Sequence, residues 1–455
     1  MIDRRTVLAN ALGLAGTAFL PPLVGRAHAR AEGYRALVCL FLDGGLDGDD
    51  VLIPYDQTSY DAYAEIRAPL HAAYAVQDRS RARADLLPLT GDPQAPGDGR
   101  AFAMPPELPR LAGLFDAQRA AVVANVGPLE EPTTADAYAR GAVRLPRGLF
   151  SHVDQRREQV RLAGTSVLSG WGGRTIDALS GLDRDAVSAL TAGGADPFWL
   201  YGGRRQPLTV PRLDPAPVVG DTLYGNPEAA RLYREHLLDA ATTATGPFAS
   251  DYARRQAEGV AAQNRVAAAF AGTDAAGSWD VAGNAVAGRL AVVARSIALR
   301  DVFGIHRQVF YVGLSGFDTH QDQANGLLPR LEQVDAAIGL FTDWLTAEGL
   351  FDQVTLFTAS DFGRTLRPNT TGTDHGWGGH QIVVGGAVRG GRVLGTVPPA
   401  ALGHDQDAGR GRAVPTTATE QMAVPLARWM GLAEADLPTV FPRADRFDLS
   451  AIDLF

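Results

Sequence analysis

Carboxylates and imidazoles collect in one loop late in the chain, between two apolar segments. Residues 354–359 and 382–384 are apolar and β-branched, and both runs predict buried strands. Between them stand Asp361, Asp374, His375 and His380. Because catalytic and binding groups of open α/β sheets collect where strands end, this loop is a candidate metal or catalytic site. The alternative is a solvated loop whose polar side chains only cap turns.

Two further predicted strands end in the same kind of residue. The apolar runs 36–42 and 308–313 each lead directly into a polar, glycine-containing turn. The candidate ligands in these turns are Asp43, Asp47, Asp318 and His320. Acids spaced this closely repel one another unless a cation or backbone N–H groups offset their charge. A simple acidic turn with a helix N-cap is the alternative for the first of these turns.

Ser151 and His152 open a predicted helix, and two arginines follow strand ends or turns. Ser151 stands where an N-cap belongs, and a helix N-terminus also favours an anion or a nucleophilic oxygen. Arg364 and Arg174 are candidates for binding an anionic group through their planar guanidinium. A structural salt bridge for Arg364 and a surface position for Arg174 are the alternatives.

The elements that must position these residues alternate between strand and helix. The strand at 308–313, a long helix at 327–348 and the strand at 354–359 predict a βαβ unit and therefore a parallel pair. An Ala-rich helical block at roughly 226–300 is interpreted as an insertion or cap beside the sheet. His375 precedes its strand, so that strand must run antiparallel or the loop before it must arch over the sheet edge.

The N-terminal 29 residues have the features of a processing segment. Arg4 and Arg5 stand before an apolar run at 7–20, and a small-residue cleavage site follows near Ala29. The apolar run is shorter than the roughly 20 residues that a transmembrane helix needs. We expect export by the twin-arginine route, removal of 1–29, no transmembrane segment in the mature chain and a periplasmic or extracellular location.

Charge and cysteine content exclude several classes of protein. The formal net charge is -9, which argues against nucleic-acid binding, since that function begins from a basic surface. Cys39 is the single cysteine, so an intramolecular disulfide and a thiolate metal cluster are both excluded. Mixed Asp and His ligands suit zinc, manganese or iron, and carboxylate-rich sets suit magnesium or calcium. The sequence therefore predicts a divalent metal whose identity stays open.

Five short motifs carry a family resemblance that spans the mature chain. They are GGLDG with VLIPYD within 44–56, SH at 151–152, GFDTH at 316–320, SDFGRT at 360–365 and GTDHG at 372–376. With them, the chain resembles a twin-arginine-exported bacterial family catalogued as domain of unknown function 1501. That family is related to the alkaline phosphatase and sulfatase superfamily.

The resemblance implies a fold and a set of roles. The expected fold is an alkaline-phosphatase-like three-layer α/β/α sandwich with a mostly parallel central sheet and a helical insertion. The implied metal ligands are Asp43 or Asp47, Asp318, Asp361 and His375, and Ser151 is the implied nucleophile. The chain departs from the superfamily at Phe362 and Asp322, where imidazoles are expected. His320 and His152 are the candidates to replace them.

Two functions from different classes are consistent with these residues. The leading hypothesis is an exported metal-dependent hydrolase or transferase acting on phosphate or sulfate esters, with Arg364 or Arg174 binding the anionic group. The alternative is a non-catalytic relative that binds an envelope polysaccharide or a protein partner. A metal-free Ser/His/Asp hydrolase is disfavoured, because the chain has no GxSxG nucleophile elbow around Ser151.

Overall fold

A largely parallel β-sheet runs through the described part of the chain. The computed structural model describes residues 33–91, 100–162, 168–179, 186–194, 196–203, 206–218, 220, 222–223 and 225–455. The described residues belong to one compact unit. The predicted signal peptide at 1–29 lies outside them.

The strands form one large sheet and one small sheet. In chain order they are β1 (Arg35–Asp43), β2 (Ile53–Pro54), β3 (Leu87–Pro88), β4 (Phe102–Met104), β5 (Ala120–Gly127), β6 (Ala189–Thr191), β7 (Leu208–Thr209), β8 (Arg307–Ser315), β9 (Val354–Ser360), β10 (Gly379–Gly385), β11 (Arg392–Leu394) and β12 (Thr417–Ala418). The large sheet has the order β11-β5-β10-β9-β1-β8-β6-β7, with β12 beside β5. Strands β2, β4 and β3 form the small sheet.

Helices cover both faces of the large sheet. In chain order the α-helices are α1 (Gln57–Ile66), α2 (Ala68–Ala75), α3 (Pro109–Asp116), α4 (Ala135–Ala139), α5 (His152–Arg161), α6 (Trp171–Leu179), α7 (Pro227–Thr243), α8 (Pro247–Ala271), α9 (Ala285–Ala298), α10 (Arg300–Phe303), α11 (Gln323–Ala347), α12 (Thr419–Trp429) and α13 (Leu437–Val440). Alternate residues of β1 enter two separate hydrophobic cores. Helices α3, α9 and α11 complete one core, and α5, α6 and α12 complete the other.

The direction of pairing confirms the predicted mixed α/β class with a largely parallel central sheet. Strand β1 pairs in parallel with both β8 and β9, as the predicted βαβ unit requires. Strand β10 runs antiparallel to β5 and β9. Of the two routes open for His375, the antiparallel strand is therefore the one that the chain takes.

The predicted helical block contains α7, α8 and α9. Helices α7 and α8 pack against each other, whereas α9 packs against α11 and β8. Helix α9 is thus part of the layer that covers one face of the sheet. The interpretation of the block as an insertion stays a prediction. Among the described residues, no helix combines the length and apolar character needed to cross a membrane.

Three strands deliver their last residues to one edge of the sheet. In the parallel register Asp43 lies beside Ser315, and Leu42 lies beside Ser360. Since parallel strands end together, Asp43 and the residues that follow β8 and β9 enter the same region. This edge carries the candidate site.

Candidate metal centre

Three imidazoles surround the carboxylate of Asp318. The Nε2 atoms of His320 and His375 lie 3.1 and 3.3 Å from its Oδ1 atom, and Nε2 of His152 lies 3.4 Å from its Oδ2 atom. Nε2 of His320 is 2.8 Å from Nε2 of His375. Ligand atoms of His152, Asp318 and His375 all lie within 4.8 Å of one another. The structure therefore brings together His152, Asp318, His320 and His375 from three separate stretches of the sequence, since Asp318 and His320 belong to one motif.

The opposite ring nitrogen of each imidazole has its own hydrogen-bond acceptor. Nδ1 of His152 is 2.7 Å from Oδ2 of Asp361, and Nδ1 of His320 is 3.2 Å from Oδ1 of Asp374. Nδ1 of His375 is 2.7 Å from the carbonyl oxygen of Phe150. A carbonyl or carboxylate oxygen accepts, so each neutral ring carries its proton on Nδ1. The lone pairs on Nε2 then point toward Asp318, which is the arrangement of metal-ligating histidines.

The start of α5 positions His152 and also contributes a backbone acceptor. Ser151 is the N-cap, and its hydroxyl accepts from the backbone N–H of Asp154 and donates to that residue's carboxylate at 3.0 Å. Phe150 has a φ of 67°, a left-handed conformation that is uncommon for a large side chain. This backbone turn directs the Phe150 carbonyl toward His375, and strained backbone of this kind concentrates at functional sites.

Gly44 allows the turn after β1 to approach Asp318 closely. Its φ is 118°, and a Cβ atom there would lie 2.3 Å from the backbone nitrogen of Asp318. The Gly44 N–H donates to Oδ2 of Asp361 at 3.1 Å. A glycine is therefore required at this position both for its backbone conformation and for space.

Nearby charges act on the ionisable groups in opposite directions. The hydrogen bond with Asp361 raises the pKa of His152, with burial opposing it. Burial lowers the pKa of His375. Burial alone would raise the pKa of Asp318, but Arg364, His152 and His320 together lower it. Asp318 is thus held as an anion among the imidazoles.

Arg364 is buried and its donors are already engaged. Nη1 donates to Oδ1 of Asp318 at 3.0 Å and to the carbonyl of Gly44 at 3.3 Å. Nη2 donates to the carbonyl of Thr373 at 2.6 Å. Arg364 therefore orients Asp318, which corresponds to the structural salt bridge that the sequence left open as its alternative role.

Phe362 packs against the imidazoles rather than leaving a gap. Its ring centroid lies 4.8 Å from that of His152 and 4.6 Å from that of His375. His152 therefore stands beside the residue where the resemblance implies an imidazole. The replacement of that imidazole by His152 stays a prediction.

Asp43 and Asp361 both pair with the guanidinium of Arg156. Nη2 of Arg156 is 2.7 Å from Oδ1 of Asp43, and its Nε is 3.1 Å from Oδ1 of Asp361. Burial raises the pKa of Asp43 to about 6, with Arg156 lowering it and Asp361 raising it. Asp361 holds His152 through its other oxygen, so the ligand role of Asp361 is not carried into the proposal below.

Asp47 and Arg174 lie in other environments. Asp47 is buried, forms a salt bridge with Arg67 and accepts from Nε2 of Gln323 at 2.6 Å. Arg174 is buried and donates to the carbonyls of Val440 and Ser169. The ligand role for Asp47 and the anion-binding role for Arg174 are therefore not carried into the proposal below.

Arg156 and the Phe150 carbonyl are the components that sequence reasoning missed. Arg156 stands four residues after His152 on a predicted helix, a spacing that places both side chains on one face. That spacing was the available signal. Every residue has a backbone carbonyl. The identity of Phe150 therefore could not indicate that its carbonyl accepts a hydrogen bond from His375.

Comparison with known proteins gives one family. A family model described as "Protein of unknown function (DUF1501)" matches residues 34–432. The chain belongs to the DUF1501 family. This confirms the resemblance that its motifs carried.

The comparisons with curated proteins and with solved structures do not assign a function to the DUF1501 chain. No curated protein matches it. One solved structure, described as the crystal structure of Ps i-CgsB in complex with k-i-k-neocarrahexaose, is 10% identical to it, with a TM-score of 0.30. That alignment covers 88% of the DUF1501 chain and 73% of the solved chain. A likeness of this degree supports no functional argument.

Proposed function

We propose that the protein binds one divalent metal ion and is an exported hydrolase or transferase acting on phosphate or sulfate esters. The proposed ligands are His152, Asp318, His320 and His375. The observation that carries the proposal is the convergence of three imidazole Nε2 atoms on one carboxylate, with every Nδ1 held by an acceptor. We further propose an alkaline-phosphatase-like sandwich and a periplasmic or extracellular location; the helices on both sheet faces support the first and the N-terminal motif supports the second.

The residues present fit a metal ion. Nε2 of His152 is buried and has no hydrogen-bond partner, although such atoms are rarely left unpaired. A tetrahedral ion with bonds of about 2.0–2.1 Å separates its ligand atoms by about 3.3 Å. The Nε2-to-carboxylate separations of 3.1 to 3.4 Å match that value. Nε2 of His320 and Nε2 of His375 lie closer together, at 2.8 Å, and the group whose ligand atoms all lie within 4.8 Å of one another consists of His152, Asp318 and His375. Three nitrogen donors favour zinc over magnesium or calcium.

The balance of charge favours an anionic substrate once an ion is bound. Each carboxylate of the centre pairs with an arginine, but two of them share one guanidinium. The pairs are Asp318 with Arg364, Asp374 with Arg410, and both Asp43 and Asp361 with Arg156. With neutral imidazoles this leaves one negative charge, which a divalent ion converts to one positive charge. Such a centre attracts an ester anion.

Ser151 and Asp154 are the side chains that would take part directly in the proposed reaction. When bound, a divalent ion supplies Lewis acidity and positive charge beside the ester. The proposed nucleophile is Ser151, whose hydroxyl donates to Oδ2 of Asp154 at 3.0 Å. On attack at phosphorus or sulfur, that proton passes to the Asp154 carboxylate while the bond to the ester alcohol breaks. The alcohol leaves as its anion and takes a proton from water, and a second water then cleaves the serine ester and restores the hydroxyl.

The alternative is a non-catalytic protein that binds an envelope polysaccharide or a protein partner. Two observations favour it. The Ser151 hydroxyl is engaged as a helix cap, and Arg364 is buried with its donors engaged by Asp318 and backbone carbonyls. Measuring whether the protein turns over an ester substrate therefore distinguishes the two functions.

The experiment is a hydrolysis assay on the mature protein with aryl phosphates and aryl sulfates. We expect turnover after incubation with Zn²⁺ or Mn²⁺, loss of turnover in a chelator, and no turnover for His375→Ala. His236→Ala, on the exposed side of α7, is the matched control and should behave as wild type. A protein that holds metal but turns over neither class of ester would support the binding alternative and contradict the hydrolase.

A further inference from the structure

Asp43 and Asp361 form a second charged cluster next to the candidate metal centre. They follow neighbouring parallel strands, and their side chains are 5% and 0% exposed. Two carboxylates brought this close and this deep in the protein repel each other. A cation between them offsets this repulsion.

Arg156 is that cation. It reaches Asp43 through Nη2 at 2.7 Å and Asp361 through Nε at 3.1 Å, and 23% of its side chain is exposed. Its position one helical turn after His152 places the guanidinium beside the metal centre. Oδ1 of Asp43 is buried and makes no hydrogen bond of good geometry, although it faces Nη2 closely. The carboxylate of Asp43 thus faces the position that the guanidinium fills.

We propose that Arg156 occupies a second cation site, so that the carboxylates of Asp43 and Asp361 hold its guanidinium where a second divalent ion would bind in its absence. This extends the proposed metal centre, because it limits that centre to one metal ion. It also assigns Arg156 as a positioning residue. By pairing with Oδ1 of Asp361, Arg156 holds that carboxylate with its other oxygen toward Nδ1 of His152.

A built-in cation has a consequence for the centre. A site that binds a second metal ion loses that positive charge when the ion is removed. A guanidinium keeps its positive charge whether or not metal is present, because arginine is always protonated. The Asp43 and Asp361 side of the centre then stays neutralised when the ion is removed. The support for His152 should accordingly persist in the metal-free protein.

The test is the number of metal ions bound by wild type and by Arg156→Ala, measured by titration calorimetry with Mn²⁺. We expect Arg156→Ala to bind one ion more than wild type. The double variant Arg156→Ala/Asp43→Asn should lose that additional ion, because only one carboxylate remains. Arg157→Ala, an exposed neighbour on α5, is the matched control and should bind the same number as wild type. Equal stoichiometry for wild type and Arg156→Ala would overturn the proposal.

If Arg156→Ala is too unstable for calorimetry, its thermal unfolding in chelator and in Mn²⁺ tests the proposal instead. We expect Arg156→Ala to have a lower Tm than wild type in chelator and to regain most of that difference in Mn²⁺, while Arg156→Lys needs no such rescue. A Tm deficit that Mn²⁺ leaves unchanged relative to wild type would contradict a cation site. If wild type binds no ion but Arg156→Ala binds one, the proposed metal centre fails and the role of Arg156 stands.

Discussion

Each imidazole of the candidate centre is held by a different kind of acceptor. His152 uses a fully buried carboxylate, His320 a partly exposed carboxylate and His375 a backbone carbonyl. Such partners set the tautomer and the ring orientation of a ligand, and they raise its basicity. The metal affinity of the centre should therefore depend on residues that never touch the ion.

Asp374→Asn tests this dependence. Asp374 accepts from Nδ1 of His320, and an amide oxygen can accept the same bond without the negative charge. We expect metal affinity to fall by about 10- to 100-fold. Competition with a chromophoric chelator measures the change. Asp343→Asn, an exposed acid paired with Arg110, is the control and should leave the affinity unchanged.

Ser151→Ala separates the two roles of that hydroxyl. Loss of the N-cap should lower the free energy of unfolding by about 1 kcal/mol, as measured by denaturant titration. If Ser151 is also the nucleophile, ester turnover should fall by several orders of magnitude while metal content stays that of wild type. A turnover rate equal to that of wild type would remove Ser151 from the mechanism and leave it as a cap.

At the scale of elements, α5 is the helix that determines whether the site can form. Its N-terminal end carries His152 and Arg156, and its far end enters a buried ion cluster with the C-terminal part of the chain. Arg443 lies 3.5 Å from Glu158 of α5 and 3.1 Å from Glu420 of α12. Burial raises the pKa of both glutamates, and Arg443 lowers it. This cluster joins α5 to α12 and thereby fixes the direction of α5.

Arg443→Met should disrupt this junction. Removing one partner leaves buried carboxylates without a counter-charge, so we expect a loss of about 3–5 kcal/mol in the free energy of unfolding. Denaturant titration measures it. Arg428→Met is the matched control, because Arg428 pairs with the exposed Glu434 and should cost no more than about 1 kcal/mol. Equal losses for the two variants would contradict the role given to the cluster.

At the scale of the whole molecule, stability should fall as the pH drops below neutrality. Burial lowers the pKa of His380 to about 4, and its Nδ1 accepts from the backbone N–H of Asn125 at 3.1 Å. The unfolded side chain takes up a proton near its ordinary pKa of about 6.5, before the folded one does. The stabilising effect of neutral His380 is thus complete above about 6.5 and is lost as the pH falls toward 4.

His380→Gln tests the pH dependence. A glutamine does not titrate, so the fall in unfolding free energy between pH 6.5 and 4 should be smaller than in wild type by on the order of 3 kcal/mol. Chemical denaturation across that range measures the slope. His236→Gln, which changes an exposed histidine, should retain the slope of wild type. A slope in His380→Gln equal to that of wild type would contradict this assignment.

The sequence predicted the three strands whose ends carry the candidate site, and the edge of the sheet at which their polar ends meet. Continuous apolar runs mark β1, β8 and β9, and the long helix between β8 and β9 requires a parallel pair. Gly349, with a φ of 67°, lies just after the end of α11. These features could be predicted because each rests on local periodicity or on one backbone conformation.

The division of the acidic residues between roles could not be predicted from the sequence. Asp43, Asp47 and Asp361 have the same charge and the same strand-end position as Asp318. What separates them is the partner that each meets in space, which is Arg156 for two of them and Arg67 for Asp47. These salt bridges join residues from different helices and strands. A local sequence pattern therefore cannot predict them.

The central claim is that His152, Asp318, His320 and His375 hold one divalent ion, and metal analysis of the purified mature protein tests it most directly. After incubation with Zn²⁺ or Mn²⁺ and removal of excess, elemental analysis should give one ion per chain. His375→Ala should then give none, and His236→Ala should give one. Wild-type protein without bound metal, or His375→Ala with a full ion, would contradict the account.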